Sequence, residues 1–302
     1  MSIKGADIRN IAVIGHSGEG KTSVCEAILF NGKATDRLGK VTEGTTVTDS
    51  DEQEIARKMS ISLGVAYAMW EGVKLNLLDG PGFYDFEGEE NEALRAAGGA
   101  LIVTGATGTL SVGAEKAIDK CLKNKIPMVV FINGVDKENA DYAGTVAALK
   151  QKYAGKIAPI QIPLMEGNKM VGYVNALKET CYHFADEAKK QPVPIPEELK
   201  GTLAEMQASL TETAAENDEA LLDKYFEEGA LTKEEIIHGI RKGIYNVTTI
   251  PVMAGSALQN RGIINLMDEI VKYMPEISCS LVGSEMCIRD RCSPPAWTKT
   301  SL

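Results

Sequence analysis

One stretch narrows the architecture of this chain more than any other. Gly15-His16-Ser17-Gly18-Glu19-Gly20-Lys21-Thr22 sits between the apolar run Ile11-Ala12-Val13-Ile14 and the helix-forming Ser23-Val24-Cys25-Glu26-Ala27-Ile28-Leu29. A strand feeding a glycine-rich turn and then a helix points to a parallel α/β sheet, in which helices supply the crossovers. The turn itself carries chemistry. Its glycines let backbone N–H groups converge on an anion, and the helix N-terminus adds partial positive charge. Lys21 is placed to reach the β- and γ-phosphates of a nucleotide, and the Thr22 hydroxyl to ligate Mg²⁺. Gly15, His16, Ser17, Gly18, Glu19, Gly20 and Ser23 complete the phosphate-binding loop and the start of its helix.

The rest of the chain continues this pattern. Strand-like runs at residues 11–14, 60–69, 74–78, 100–104 and 128–132 alternate with helical patterns starting at Thr22, near Glu89, at Val112 and near Asn139. Residues 60–70 and 73–78, joined by Glu71-Gly72, read as an antiparallel hairpin at the sheet edge. Residues 30–58 are polar and show no sustained periodicity, so they are expected to be a structureless switch loop. From 158 to 247 the pattern changes to short strands (158–164, 170–175) followed by helices (197–226, 232–242) after a proline-rich break. It then resumes with a strand at 249–254 and an amphipathic helix at 262–274. The expected organisation is a nucleotide-binding domain of residues 1–157 and 248–277, with an inserted α+β subdomain at 158–247.

Three further motifs bear on the magnesium and the base. Leu75-Asn76-Leu77-Leu78-Asp79-Gly80-Pro81-Gly82 ends a strand in Asp-x-x-Gly, where Asp79 holds Mg²⁺ through water and the Gly82 N–H senses the γ-phosphate. Asn133-Gly134-Val135-Asp136 follows a buried strand, and the Asp136 carboxylate can accept from guanine N1–H and its exocyclic amine. Adenine offers neither group and leaves that carboxylate unpaired. Ser256-Ala257 lies between a strand and a helix, where the Ala257 N–H is expected to donate to guanine O6. The fold class is therefore an α/β P-loop GTPase domain with a mostly parallel sheet and a small α+β insert.

These motifs occur together with Arg9-Asn10-Ile11, residues 49–61 around Glu52-Gln53-Glu54, and Gly255-Ser256-Ala257-Leu258-Gln259-Asn260-Arg261-Gly262. With the position of the insert, they resemble the GTP-binding domain of an elongation factor G-like translational GTPase of the divergent branch, over residues 9–275. The resemblance implies GTP and GDP as ligands, Mg²⁺ as cofactor, the ribosome as partner and truncation after the GTP-binding domain. It implies Lys21 and Gly82 as catalytic positions. Ser60 stands where the family carries its switch threonine, so Thr22, Ser60 and Asp79 form the implied Mg²⁺ set. GTP is expected to order residues 30–60 and 79–90. Several positions depart from the family. Phe83 replaces the histidine that orients the attacking water, and phenyl can neither donate nor accept a proton. Gly18 replaces an aspartate, Gly134 replaces a lysine whose stem covers one face of the base, and Glu19 puts a carboxylate in a loop built for anions. Binding is thus expected to survive better than hydrolysis. The competing readings are a non-hydrolysing GTP-binding regulatory module, a ribosomal protection-type GTPase and a general P-loop ATPase.

A net charge of −10 over 302 residues gives no general affinity for DNA or anionic membranes. No apolar run is long enough to span a bilayer and residues 1–7 lack a signal-peptide core, so a cytoplasmic location is expected. Cys25, Cys121 and Cys181 have neither disulfide nor metal spacing. Residues 278–302 read as an artefactual tail, because residues 281–290 resemble a translated sequencing adapter. Its Cys279, Cys287 and Cys292 lack zinc-site spacing and a fourth ligand.

Overall fold

Seven strands form the central sheet: β1 (Ile8–Gly15), β2 (Gly64–Trp70), β3 (Val73–Asp79), β4 (Gly99–Gly105), β5 (Met128–Asn133), β6 (Ile157–Pro159) and β10 (Ile250–Gly255). The structure is a computed structural model describing residues 4–184 and 192–276; the tail read at 278–302 lies outside the described residues. Strand order is β2-β3-β1-β4-β5-β10-β6, parallel throughout except for β2, which pairs antiparallel with β3 at the edge as the hairpin reading expects. β7 (Gln161–Glu166), β8 (Lys169–Asn175) and β9 (Thr180–His183) form a separate antiparallel sheet.

The helices are α1 (Lys21–Asn31), α2 (Glu52–Arg57), α3 (Glu87–Ala96), α4 (Val112–Asn124), α5 (Tyr142–Lys152), α6 (Glu197–Glu216), α7 (Glu219–Glu228), α8 (Lys233–Tyr245) and α9 (Ile263–Tyr273). The central strands are near-continuous apolar runs because helices cover both of their faces. In β1, Ile11 and Val13 share one buried cluster with Val24 and Ile28 of α1 and Ile270 of α9. The alternate residues Ala12 and Ile14 share the other with Leu94 of α3 and Ile118 of α4. Truncating one of the large side chains here to alanine costs about 2–5 kcal/mol. No described helix is long and apolar enough to cross a membrane.

The elements differ from the sequence reading in four places. Residues 30–58 are not structureless: a short turn at Val41–Glu43 precedes α2, which Asp51 and Glu54 start with a reciprocal capping box. Six residues are too few to display helical periodicity. The expected strand at 60–69 begins only at Gly64, because the amides of Ile61, Ser62 and Leu63 donate to Glu54 and Glu89 side chains. The expected strand at 158–164 is two strands, β6 in the main sheet and β7 in the second. Ile160 between them bonds back to Val252 and Ala176, so one stretch of mostly apolar residues, interrupted at Pro159 and Gln161, spans a change of sheet. The helix over 197–226 is interrupted before Asp218, whose carboxylate caps α7.

The topology positions the site. β1 has β3 on one side and β4 on the other, so the chain reverses its winding at β1 and opens a crevice at the carboxyl ends of these strands. Gly15 lies opposite Val103, Val13 opposite Asp79, and Asn133 opposite both Gly105 and Gly255. Motifs far apart in sequence therefore end on one edge.

Candidate functional site

The loop between β1 and α1 requires its glycines. Gly15, Gly18 and Gly20 have φ of 145°, 78° and 90°. A side chain at Gly15 would strike the Val103 carbonyl and one at Gly20 the Asn133 amide. Gly82 is constrained by contact instead, since a Cβ there would meet Lys21 Nζ and the backbone of Ser17. Between this loop and the segment at 41–60 lies a cavity of about 300 Å³, lined by Ser17, Gly18, Gly20, Lys21, Thr22 and Ser23 on one side. Val41, Asp49, Arg57, Lys58, Met59 and Ser60, with Gly82 and Phe83, line the remainder. Lys21 is 6% exposed and donates to the His16 carbonyl at 3.0 Å. Burial lowers its pKa, and the Asp79 charge opposes that shift. Glu19 is not among the residues lining the cavity: its carboxylate accepts the His16 N–H at 3.1 Å and faces the Thr104 hydroxyl.

Hydroxyl and carboxylate oxygens gather beneath the loop. Thr22 Oγ1 and Ser60 Oγ lie 3.2 Å apart, and the Thr48 hydroxyl donates to Asp79 Oδ2 at 2.7 Å. Asp79 is fully buried, and burial pushes its carboxyl up to about 6. Its Oδ1, like Asp49 Oδ2, is buried without a hydrogen-bond partner. Burial raises the Asp49 pKa too, against a hydrogen bond from Ser60. Among the described residues no group of three His, Cys, Asp or Glu side chains could hold a metal alone. Two hydroxyls beside an orphaned carboxylate oxygen nevertheless suit a hard cation that completes its shell with water and phosphate oxygens. Thr22, Ser60 and Asp79, expected from sequence, thus come together. Asp49 and Thr48 were missed, because a polar loop offers no local signal of which acids become buried.

Asn133 and Ala257 meet away from that cavity. Asn133 Nδ2 donates to the Glu19 carbonyl at 2.9 Å, and its Oδ1 accepts the Ala257 N–H at 3.0 Å. The Ala257 amide expected to face guanine O6 is therefore spent on Asn133 here. Ser256 is buried and closes its own turn with Arg261 through backbone bonds in both directions. Asp136 is half-buried within the turn closed by the Lys137 N–H and the Gly134 carbonyl. Where Gly134 lacks a side chain, the Lys137 stem passes close over its Cα.

Buried carboxylates hold the segment that covers the cavity. Glu26 of α1, 1% exposed and raised in pKa by burial, accepts the Val47 N–H at 2.6 Å. Glu54 accepts from Asp51, Ile61 and Ser62, while Glu89 of α3 accepts from Leu63. Glu89 thereby links Leu63 directly to the helix that follows Asp79 and Gly82. Phe83 is 41% exposed at the cavity rim.

The family model described as "Elongation factor Tu GTP binding domain" matches residues 6–276. Among solved structures, a crystal structure of a protein from Thermus thermophilus superposes with a TM-score of 0.83 at 31% sequence identity. The match covers 90% of this chain and 41% of that one, so the chain spans less than half of the length of this relative.

Proposed function

The chain belongs to the elongation factor Tu GTP-binding domain family, and from that membership we propose that it is the GTP-binding switch domain of an elongation factor G-like translational GTPase. The observation that carries the reading is the convergence of Lys21, Asp79 and Asn133, from three separate motifs, around one loop. The reaction proposed is hydrolysis of GTP to GDP and phosphate. Lys21 and the loop amides of Gly18, Glu19, Gly20 and Thr22 bind the β- and γ-phosphates, and the Gly82 N–H faces the terminal one. Thr22, Ser60 and Asp79 would hold Mg²⁺, whose charge would offset that of the nucleotide phosphates. Asp136 reads the guanine edge, and Asn133 keeps the phosphate loop and the Ser256-Ala257 turn in register. Phe83 contributes no proton transfer, so unassisted turnover is slow. The ribosome is the proposed partner, reached through regions beyond this domain, and the cytoplasm the proposed location.

Phe83 also favours a second reading, a GTP-binding module that does not hydrolyse its ligand. Two measurements test both. In competition binding, GTP is expected to exceed ATP by roughly a hundredfold or more, with Asp136→Ala removing the preference. Equal affinity for the two nucleotides would refute a guanine site. Single-turnover phosphate release is then measured with and without ribosomes. Stimulation supports the translational GTPase, and no phosphate release under either condition supports the binding module.

A further inference from the structure

Arg57 ends α2 and Lys58 follows it, and both line the cavity shared by Lys21, Ser17 and Gly82. Lys58 adopts a left-handed backbone, φ 55° and ψ 42°, in a position that favours glycine. That conformation alone identifies nothing, since Lys125 ends α4 in the same way. The cavity is what separates them: Lys58 lines it and Lys125 does not. Neither Arg57 nor Lys58 has an ion-pair partner among the described residues, although acidic groups outnumber basic ones in this chain.

The backbone carrying Lys58 is anchored on both sides. Before it, Asp51 and Glu54 cap α2; after it, the Met59 N–H bonds the Glu54 carbonyl at 3.1 Å. Ser60 then touches Thr22, and Glu54 takes the next two amides. A flexible lysine on a fixed stem beside a phosphate-binding loop is a cation placed for a polyanion.

We propose that Lys58 contacts the terminal phosphate of the bound nucleoside triphosphate, as a second lysine beside Lys21. The inference rests on the guanine-nucleotide reading above and deepens it. It makes Lys58 a determinant of the preference for triphosphate over diphosphate, because the group it touches leaves on hydrolysis. Loss of that phosphate releases an anchor of the same segment that carries Ser60.

The test measures Kd for a non-hydrolysable GTP analogue and for GDP, with Mg²⁺, in the wild-type chain and in Lys58→Gly, Lys58→Met and Lys58→Arg. Lys58→Gly and Lys58→Met are expected to weaken the analogue about fivefold, the size of one solvent-accessible charged contact, and to leave GDP unchanged. Lys58→Arg is expected to keep the preference. Lys58→Gly also relaxes the left-handed backbone, so its melting temperature should not fall, and weaker binding cannot then be ascribed to unfolding. Unchanged affinities, or equal losses for both nucleotides, overturn this inference while leaving the guanine site standing. A wild-type chain that binds neither nucleotide overturns both.

Discussion

Replacing Asp79 by asparagine removes one buried charge and almost no volume, and the structure sets the sign and size of the effect. Burial raises the Asp79 carboxyl from its ordinary 3.8 to about 6. Between these values the native state binds more protons than the unfolded chain, so stability falls as pH rises through the window. The contribution is fully present below 3.8 and lost above about 6, a difference of about 3 kcal/mol in the ligand-free protein at neutral pH. Asparagine escapes this loss. Two effects oppose the gain: Lys21 loses the charge that most supports its ionised form, and the new amide nitrogen sits where Oδ1 has no partner. Together these cost about 1–2 kcal/mol. Asp79→Asn is therefore expected to stabilise the nucleotide-free chain at pH 7.5 by about 1–2 kcal/mol, or roughly 2–6 °C in melting temperature. The advantage should shrink and reverse toward pH 4. Thermal melts of both proteins in chelator, from pH 4 to 7.5, measure it. With GDP and Mg²⁺ added, the order should invert, because the variant lacks the carboxylate proposed to hold the cation. A wild-type-minus-variant difference that stays constant across this pH range would refute the reasoning.

Two further outcomes follow from particular contacts. Asn133→Ala removes bonds to the Glu19 carbonyl and the Ala257 amide, leaving both without that partner. It should cost about 2–3 kcal/mol in melts and weaken GDP binding; a loss below about 0.5 kcal/mol would show that the loop and turn do not depend on it. Phe83→Ala should leave the single-turnover hydrolysis rate within about threefold, whereas Phe83→His, which supplies a proton-carrying group, should raise it roughly tenfold or more. A tenfold loss in Phe83→Ala would mean that the ring itself orders the site.

The readable parts of this chain were those whose signal is local. Residues 11–14 and 128–132 announce buried strands by unbroken apolar character, and the loop at 15–22 declares its chemistry within eight positions. Segments that depend on distant partners were not readable. α2 depends on Asp51 and Glu54 capping each other, and the path of residues 61–63 on carboxylates from two helices. The passage from β6 to β7 falls between Pro159 and Gln161, but Ala158, Ile160 and Ile162 around it are buried in one cluster, so the hydrophobic pattern does not separate the two sheets.

Within the site the division is the same. The sequence by itself determined that a phosphate loop, an Asp-x-x-Gly turn and an Asn-x-x-Asp turn occur in order after the first, third and fifth strands, since each is a short pattern with its own chemistry. Tertiary structure decided that Asn133 spends its amide on Glu19, 114 positions away, and its carbonyl on Ala257, 124 positions away. It also decided that Glu19 bonds the His16 amide rather than lining the cavity, and that Asp79 lies dry with a carboxyl near 6 while Lys58 stays at the cavity rim. The physical reason is desolvation: an ionisable group's behaviour depends on which atoms exclude water from it, and those atoms come from elements that only folding brings together.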